Sequence, residues 1–414
     1  MMTNFIDLAA ILISVSALFA YINHRFIGLP TTIGVMIVAM LVSFGVYLLS
    51  LLGFSGLQLQ AQEWLGGVDF NRTLLNGMLS FLLFAGALHV NLNNLKEQKW
   101  IILSLATFGV CLSTYLVGTA TYHLLHALSC ELPYIYCLLF GALISPTDPI
   151  AVMATVKRLG VSKELETTIA GESLFNDGVG VVVFTVLLML LQNPGPVDPG
   201  HVALIFAEEA IGGIVFGLVL GGLGYYLISS IDNYKVEVLI TLALVMGGYG
   251  LALALHTSGP IAIVVAGLIT GSLLRKHAMS EQTRESIDDF WELIDEILNV
   301  ILFALIGLEM LVIPFDGQWL FSGVVLIAIV ILIRFFSVGI PIRLIGLKTK
   351  VEPHLVKILV WGGLRGGISV ALALSLPEGE SRDLVVFLTY VVVVFSIVVQ
   401  GLTIGPFIRR LTPD

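Results

Sequence analysis

Apolar runs of roughly twenty residues recur along the whole chain. They lie at about 5–23, 30–52, 72–92, 99–126, 133–156, 165–191, 201–229, 236–256, 259–274, 294–313, 318–342, 354–376 and 384–408. A bilayer core about 30 Å thick needs a helix of about twenty residues to cross it. In hydrocarbon every backbone amide and carbonyl needs an internal partner, which leaves only helices and closed barrels as spanning structures. The runs are too long for barrel strands and do not alternate apolar with polar residues. The expectation is therefore an all-α, multi-pass membrane protein with thirteen transmembrane helices. With 57% hydrophobic and 12% charged residues and a mean hydropathy of +1.00, a soluble globular class is excluded. No basic segment precedes the first run, so that run is expected to be retained rather than removed as a signal peptide.

Basic residues give an orientation, because cytoplasmic loops collect them. With the N-terminus outside, 16 of the 20 lysines and arginines fall inside, only Arg72 and Arg382 fall outside, and Arg334 and Arg365 lie within runs. The expectation is N-out and C-in. The net charge of −9 does not point to a basic partner, and no nucleic-acid partner is expected. Cys111, Cys130 and Cys137 are odd in number and form no CxxC, so they read as small core residues. The longest polar stretches are 53–71 and 276–292, too short for a soluble domain, so function is expected within the membrane.

The fifth run contains ISPTDPIAV, 144–152, in which two prolines flank Asp148. Proline lacks an amide donor and breaks helices. The twelfth run contains WGGLRGG, 361–367, another helix-breaking segment. An internal echo relates these places. LLFAGAL at 82–88 resembles ILFALIGL at 301–308, and LLFGAL at 138–143 resembles LVWGGL at 359–364, offsets of about 219 and 221. Each pair is seven runs apart, an odd number, so the copies would be oppositely oriented. Two inverted six-helix repeats are expected, with broken helices 5 and 12 at matching positions. Such paired interruptions mark the binding site of a transporter.

The sixth run reads AGESLFNDGVGVVVF, 170–184. Glu172 and Asn176 are four apart, as are Ser173 and Asp177, so one helix sector carries all four. A charge at mid-bilayer costs at least ~2.5–3.5 kcal/mol on insertion scales. Against Asp148, Glu172 and Asp177 stand two deep cations, Arg334 in ILIRFFSVG and Arg365. One negative charge is left over, enough to hold one proton or one monovalent cation. Glu172 with Arg334 reads as a structural pair, and Asp177 as the carboxylate left without an arginine. The competing reading is that the whole set forms ion pairs that only fix helix packing.

Elsewhere the signals are weaker. Glu309 is expected at the outer interface, and Glu208 and Glu209 about two turns inside the seventh run. Glu292, Asp295 and Glu296 are expected to line the cytoplasmic mouth, where they would concentrate cations. His89 and His256 fall near run ends, and no His/Cys cluster suggests a transition metal. Gly213, Gly217 and Gly221 share one face, suited to close helix packing or to a subunit interface.

ISPTDPIAV, GESLFNDG, the arginine of ILIRFF and WGGLRGGIS, in this order, resemble the monovalent cation/proton antiporters of the NhaP type, relatives of eukaryotic sodium/proton exchangers. The resemblance covers essentially the whole chain. It implies a scaffold and dimerisation domain from 1–98 and 193–316, and a transport core from 99–192 and 317–414. Helices 5 and 12 would cross near the midplane of the core. By position, Asp177 would alternately bind cation and proton, with Ser173 and Thr147 adding oxygens. Asn176 would brace the crossing, Asp148 would stabilise the broken helix ends, Glu172 and Arg334 would form an ion bridge, and Arg365 would support the twelfth helix. Asn before the aspartate implies electroneutral one-for-one exchange of Na⁺, Li⁺ or K⁺ for H⁺. A homodimer in the plasma (inner) membrane of a prokaryote is implied, with lipid around it and no cofactor. One departure is Ala85, in LLFAGAL, where many relatives carry glutamate.

Two other classes are open to the residues. Asp148 and Asp177 could form the dyad of an intramembrane aspartyl protease, but the second aspartate lacks the GxGD context and two arginines oppose a shared proton. A cation channel would need a carbonyl-ring filter motif, which the sequence lacks.

Overall fold

The computed structural model describes residues 5–53, 56, 59–60, 62, 77–193, 199–274, 280–313, 316–347 and 354–411. The polar stretch 53–71 lies largely outside them, and Arg72, Arg275, Lys276, Lys348 and Lys350 lie outside. The described residues are almost entirely helical. The first helices are α1 (Phe5–Ile22), α2 (Thr31–Leu51), α3 (Leu79–Leu88), α4 (Leu92–Ser104), α5 (Val110–Ala127), α6 (Tyr134–Ile144), α7 (Ile150–Leu159) and α8 (Lys163–Gln192). The second half holds α9 (Pro199–Ser229), α10 (Tyr234–Ala254), α11 (Gly259–Ile269), α12 (Glu281–Glu309), α13 (Gly317–Gly346), α14 (Leu355–Trp361), α15 (Gly367–Leu374), α16 (Glu380–Phe395) and α17 (Gly401–Leu411). Short π-helical segments join α4 to α5 (Leu105–Gly109) and α16 to α17 (Ser396–Gln400).

Among the described residues, eight helices are long and apolar enough to cross a membrane. The protein is a multi-pass membrane protein. Helix ends follow local chemistry. Ser162 caps α8, its Oγ accepting the Leu165 N–H at 3.2 Å, and Gly160 ends α7 in the left-handed region, φ 63°, which glycine adopts without a Cβ clash.

The largest boundary difference is α12. Its apolar run begins near 294, yet the helix starts at Glu281, inside the stretch read as a polar connection. Thr283, Ile287 and Trp291 recur every four residues and are buried, while Glu281, Glu285, Asp289 and Glu292 are exposed. One apolar stripe suffices to hold such a helix against its neighbours, and the indole Nε1 of Trp291 donates to Thr241 Oγ1 on α10 at 3.0 Å. Glu309 lies at the other end of α12 and is buried. Gly213, Gly217 and Gly221 sit against α11, where any Cβ would meet Ser258, Ala262 or Ile269. Their stripe therefore serves close packing of α9 on α11.

Two helices are interrupted. The chain leaves α6 after Ile144 and resumes in α7 at Ile150, with SPTDP between. It leaves α14 after Trp361 and resumes in α15 at Gly367. The two breaks meet, with the Asp148 N–H donating to the Leu364 carbonyl at 2.8 Å in an isolated antiparallel bridge. Leu364 belongs to an apolar cluster that includes Val152, Leu359 and Ile404, all at most 2% exposed.

Candidate functional site

Each break frees helix-end groups that need partners. At the first, Asn176 on α8 supplies them. Its Oδ1 accepts the Thr147 N–H at 3.2 Å, and its Nδ2 donates to Thr147 Oγ1 at 2.9 Å and to Glu172 Oε1 at 3.0 Å. The hydroxyls of Thr147 and Ser173 lie 3.2 Å apart. The α8 backbone approaches this loop so closely that a Cβ at Gly180 would overlap the Pro146 ring. Asp148 faces the other way along the loop. Its Oδ1 accepts the Ile150 N–H at 2.9 Å, capping the positive end of α7. Gly366 lies against the same carboxylate, leaving no room there for a side chain.

The cations are held differently. Arg334 on α13 donates from Nη2 to Glu172 Oε1 at 2.7 Å, with both residues at most 6% exposed. Arg365 donates from Nη1 to the carbonyls of Ser145 and Pro146, the latter at 2.8 Å. The guanidinium reaches across to the C-terminal carbonyls of α6, which carry partial negative charge and lack donors because the break follows at once. The backbone of Arg365 is fixed from the π segment instead, its N–H donating to Ser396 Oγ at 2.9 Å. Ser396 Oγ in turn donates to Gln400 Oε1 at 2.8 Å, and Gln400 Nε2 to the Trp361 carbonyl at 3.2 Å.

Asp177 stands apart. It is 8% exposed and has no hydrogen bond or ion pair among the described residues. It lies one turn from Ser173 on the same face of α8, and within electrostatic reach of Asp148 and Glu172. The structure thus brings Thr147, Asp148, Glu172, Ser173, Asn176, Asp177, Arg334 and Arg365 into one buried constellation. Its oxygens suit a hard monovalent cation, which takes carboxylate, hydroxyl and carbonyl ligands. Ala85, on α3, is 1% exposed and adds no oxygen from its side chain. Sequence reasoning missed Ser396 and Gln400. Both are uncharged residues in an apolar run, and only contacts across 31 and 39 residues reveal their part.

Comparison with known proteins identifies the family. The family described as "Sodium/hydrogen exchanger, transmembrane" matches residues 14–410. The chain is 51% identical over 410 residues to the Na⁺/H⁺ antiporter NhaP of Pseudomonas aeruginosa, covering 98% of this chain and 97% of that protein. It is 38% identical over 346 residues to the Na⁺/H⁺ antiporter NhaH of Halobacillus dabanensis, covering 83% and 84%. Its fold matches the solved structure of the sodium proton antiporter MjNhaP1 from Methanocaldococcus jannaschii, with a TM-score of 0.76, 20% identity and 99% of both chains covered. This chain belongs to the sodium/hydrogen exchanger family.

Proposed function

We propose that the chain is a secondary antiporter that exchanges Na⁺, or Li⁺ or K⁺, for H⁺ across the membrane, one for one. The observation that carries this reading is Asp177, buried beside Ser173 and Thr147 without a hydrogen bond or ion pair among the described residues. The other charges of the site each have a binding partner: Glu172 has Arg334, Arg365 has the α6 carbonyls, and Asp148 has the α7 amide.

Cation and proton compete for Asp177, and either one neutralises it. The neutral site can pass the midplane; the bare carboxylate is held back by at least ~2.5–3.5 kcal/mol, which suppresses empty crossing on the order of 100-fold. That penalty couples the two flows. One titrating carboxylate carries one charge each way, so the cycle moves no net charge. Asn176, uncharged, braces the loop without adding a second carrier.

The moving unit is the core of 99–192 and 317–414, working against a scaffold of 1–98 and 193–316. Packing within each set supports this division: α13 lies on α16 and α5 on α6, while α12 lies on α2 and α9 on α11. Thirteen crossings, N-out and C-in, arranged as two inverted repeats, complete the proposal. The side chain of Arg365 binds Ser145, 220 residues away, which is the offset of the internal echo. A crossing on a pseudo-two-fold axis brings equivalent positions together in this way. A homodimer in a prokaryotic plasma membrane is part of the same proposal.

The test is reconstitution of the full chain into vesicles with a preset pH difference. Adding Na⁺, Li⁺ or K⁺ in turn collapses the gradient for at least one of them, with no change in a voltage-sensitive dye. Collapse by none of the three defeats the exchange reading, and a voltage that builds with turnover defeats one-for-one stoichiometry. Flux far above a thousand ions per second per protein favours a channel, because moving a domain takes microseconds to milliseconds.

A further inference from the structure

One stripe of α12 carries Asp288, Glu292, Asp295 and Asn299, then Leu302, at alternating spacings of four and three residues. It runs from the acidic end of the helix to the two breaks. Leu302 packs on Gly367 so closely that no side chain fits there, and the adjacent Gly366 lies against the Asp148 carboxylate. Asp295, about two turns before Leu302, is half-buried and within electrostatic reach of Asp148, Glu292 and Glu296. Asn299 lies between them and is 2% exposed, with its side-chain amide against the Asp295 carboxylate, and among the described residues no other group hydrogen-bonds its Nδ2 or Oδ1. Burying an amide whose carbonyl oxygen is unmet is costly, so such a group calls for a reason. Among the described residues neither Asp295 nor Asp148 has an ion pair with a base: Arg334 is bonded to Glu172 and Arg365 to the α6 carbonyls. Arg284, the one basic residue on α12, is three turns away from Asp295 and exposed.

We propose that Asp295 and Asn299, with the Asp148 carboxylate, form a second site for a monovalent alkali cation, on the path between the acidic end of α12 and Asp177. This rests on the exchange reading above. The cation trades part of its hydration shell for carboxylate and amide oxygens, the ligands hard cations prefer. Asn299 Oδ1 serves as ligand while its Nδ2 turns to a carboxylate. The site lowers the step from bulk water to the inner carboxylate and sets the half-saturating concentration on one face only. The competing explanation is that the α12 acids merely attract cations through their field.

The experiment uses the full chain in vesicles of both orientations, with Asp295→Asn, Asp295→Glu and Asn299→Ala. With Na⁺ offered from the acidic end of α12, Asp295→Asn and Asn299→Ala each raise the half-saturating concentration about tenfold. The maximal rate changes less than the half-saturation does, and offering Na⁺ from the other face shows no such shift. Asp295→Glu restores most of the affinity. The shifts persist in about 1 M choline chloride, where the Debye length is about 3 Å. The proposal is overturned if Asn299→Ala, which removes no charge, leaves half-saturation unchanged. It is equally overturned if the Asp295→Asn effect vanishes in choline chloride; this arm stands even if Asn299→Ala does not fold. Unchanged variants in an exchanging wild type sink this site alone, whereas a wild type that exchanges nothing sinks the underlying reading.

Discussion

Asp177→Asn abolishes exchange. Asparagine has nearly the volume and shape of aspartate, so the packing of α8 is kept. It removes the one site carboxylate that lacks a hydrogen bond and ion pair among the described residues. Without that charge no proton can be bound or released near neutral pH, and the cation loses its ionic ligand. In the vesicle assay, cation-driven collapse of the pH gradient falls at least about 1000-fold, to the rate of empty vesicles, since a charged ligand and the proton carrier go together. Protein recovery and thermal stability in detergent stay at or above wild type, because burying a neutral amide removes an uncompensated charge. Exchange above a tenth of wild type in Asp177→Asn would place the carrier elsewhere, with Asp148 the next acid in the constellation.

The second large effect falls on stability. Glu172 and Arg334 are at most 6% exposed and joined at 2.7 Å. Removing one partner leaves the other charged and buried, which costs roughly 3–5 kcal/mol. Arg334→Met therefore lowers the thermal midpoint in detergent strongly, and Glu172→Gln does the same. The double variant recovers most of the loss, because two neutral groups of similar size remain. A double-mutant cycle measures this coupling directly. A double variant whose loss equals the sum of the two single losses would show that the pair is not energetically linked. The effect reaches the site as well, since Glu172 Oε1 also accepts from Asn176 Nδ2, which holds Thr147.

Much of this molecule is readable in its amino acids, for physical reasons that differ by feature. Long helices are legible because hydrocarbon demands long apolar runs. The broken helices are legible because Pro146, Pro149 and the glycines of 362–367 remove donors or side chains in the midst of such runs. Charges in apolar runs are costly, so Asp148, Glu172, Asp177, Arg334 and Arg365 stand out, and the structure brings all five together. Three features stay hidden. The early start of α12 is masked because its acids outweigh the stripe of Thr283, Ile287 and Trp291 in any composition-based reading. The reach of Arg365 to Ser145 depends on how the two breaks meet, a contact 220 residues apart. Ser396 and Gln400 are neutral, so their burial in an apolar run signals nothing until their partners are known.

The most direct test of the shared carboxylate is calorimetry on the solubilised full chain, titrating Na⁺ in buffers of different ionisation enthalpy across a range of pH. Competition for Asp177 predicts one proton released per cation bound at pH values where that group is protonated in the free protein, with apparent affinity falling as pH drops. Asp177→Asn should lose the proton release that accompanies cation binding. Na⁺ binding with no proton released at any pH, or release that persists in Asp177→Asn, would contradict the account.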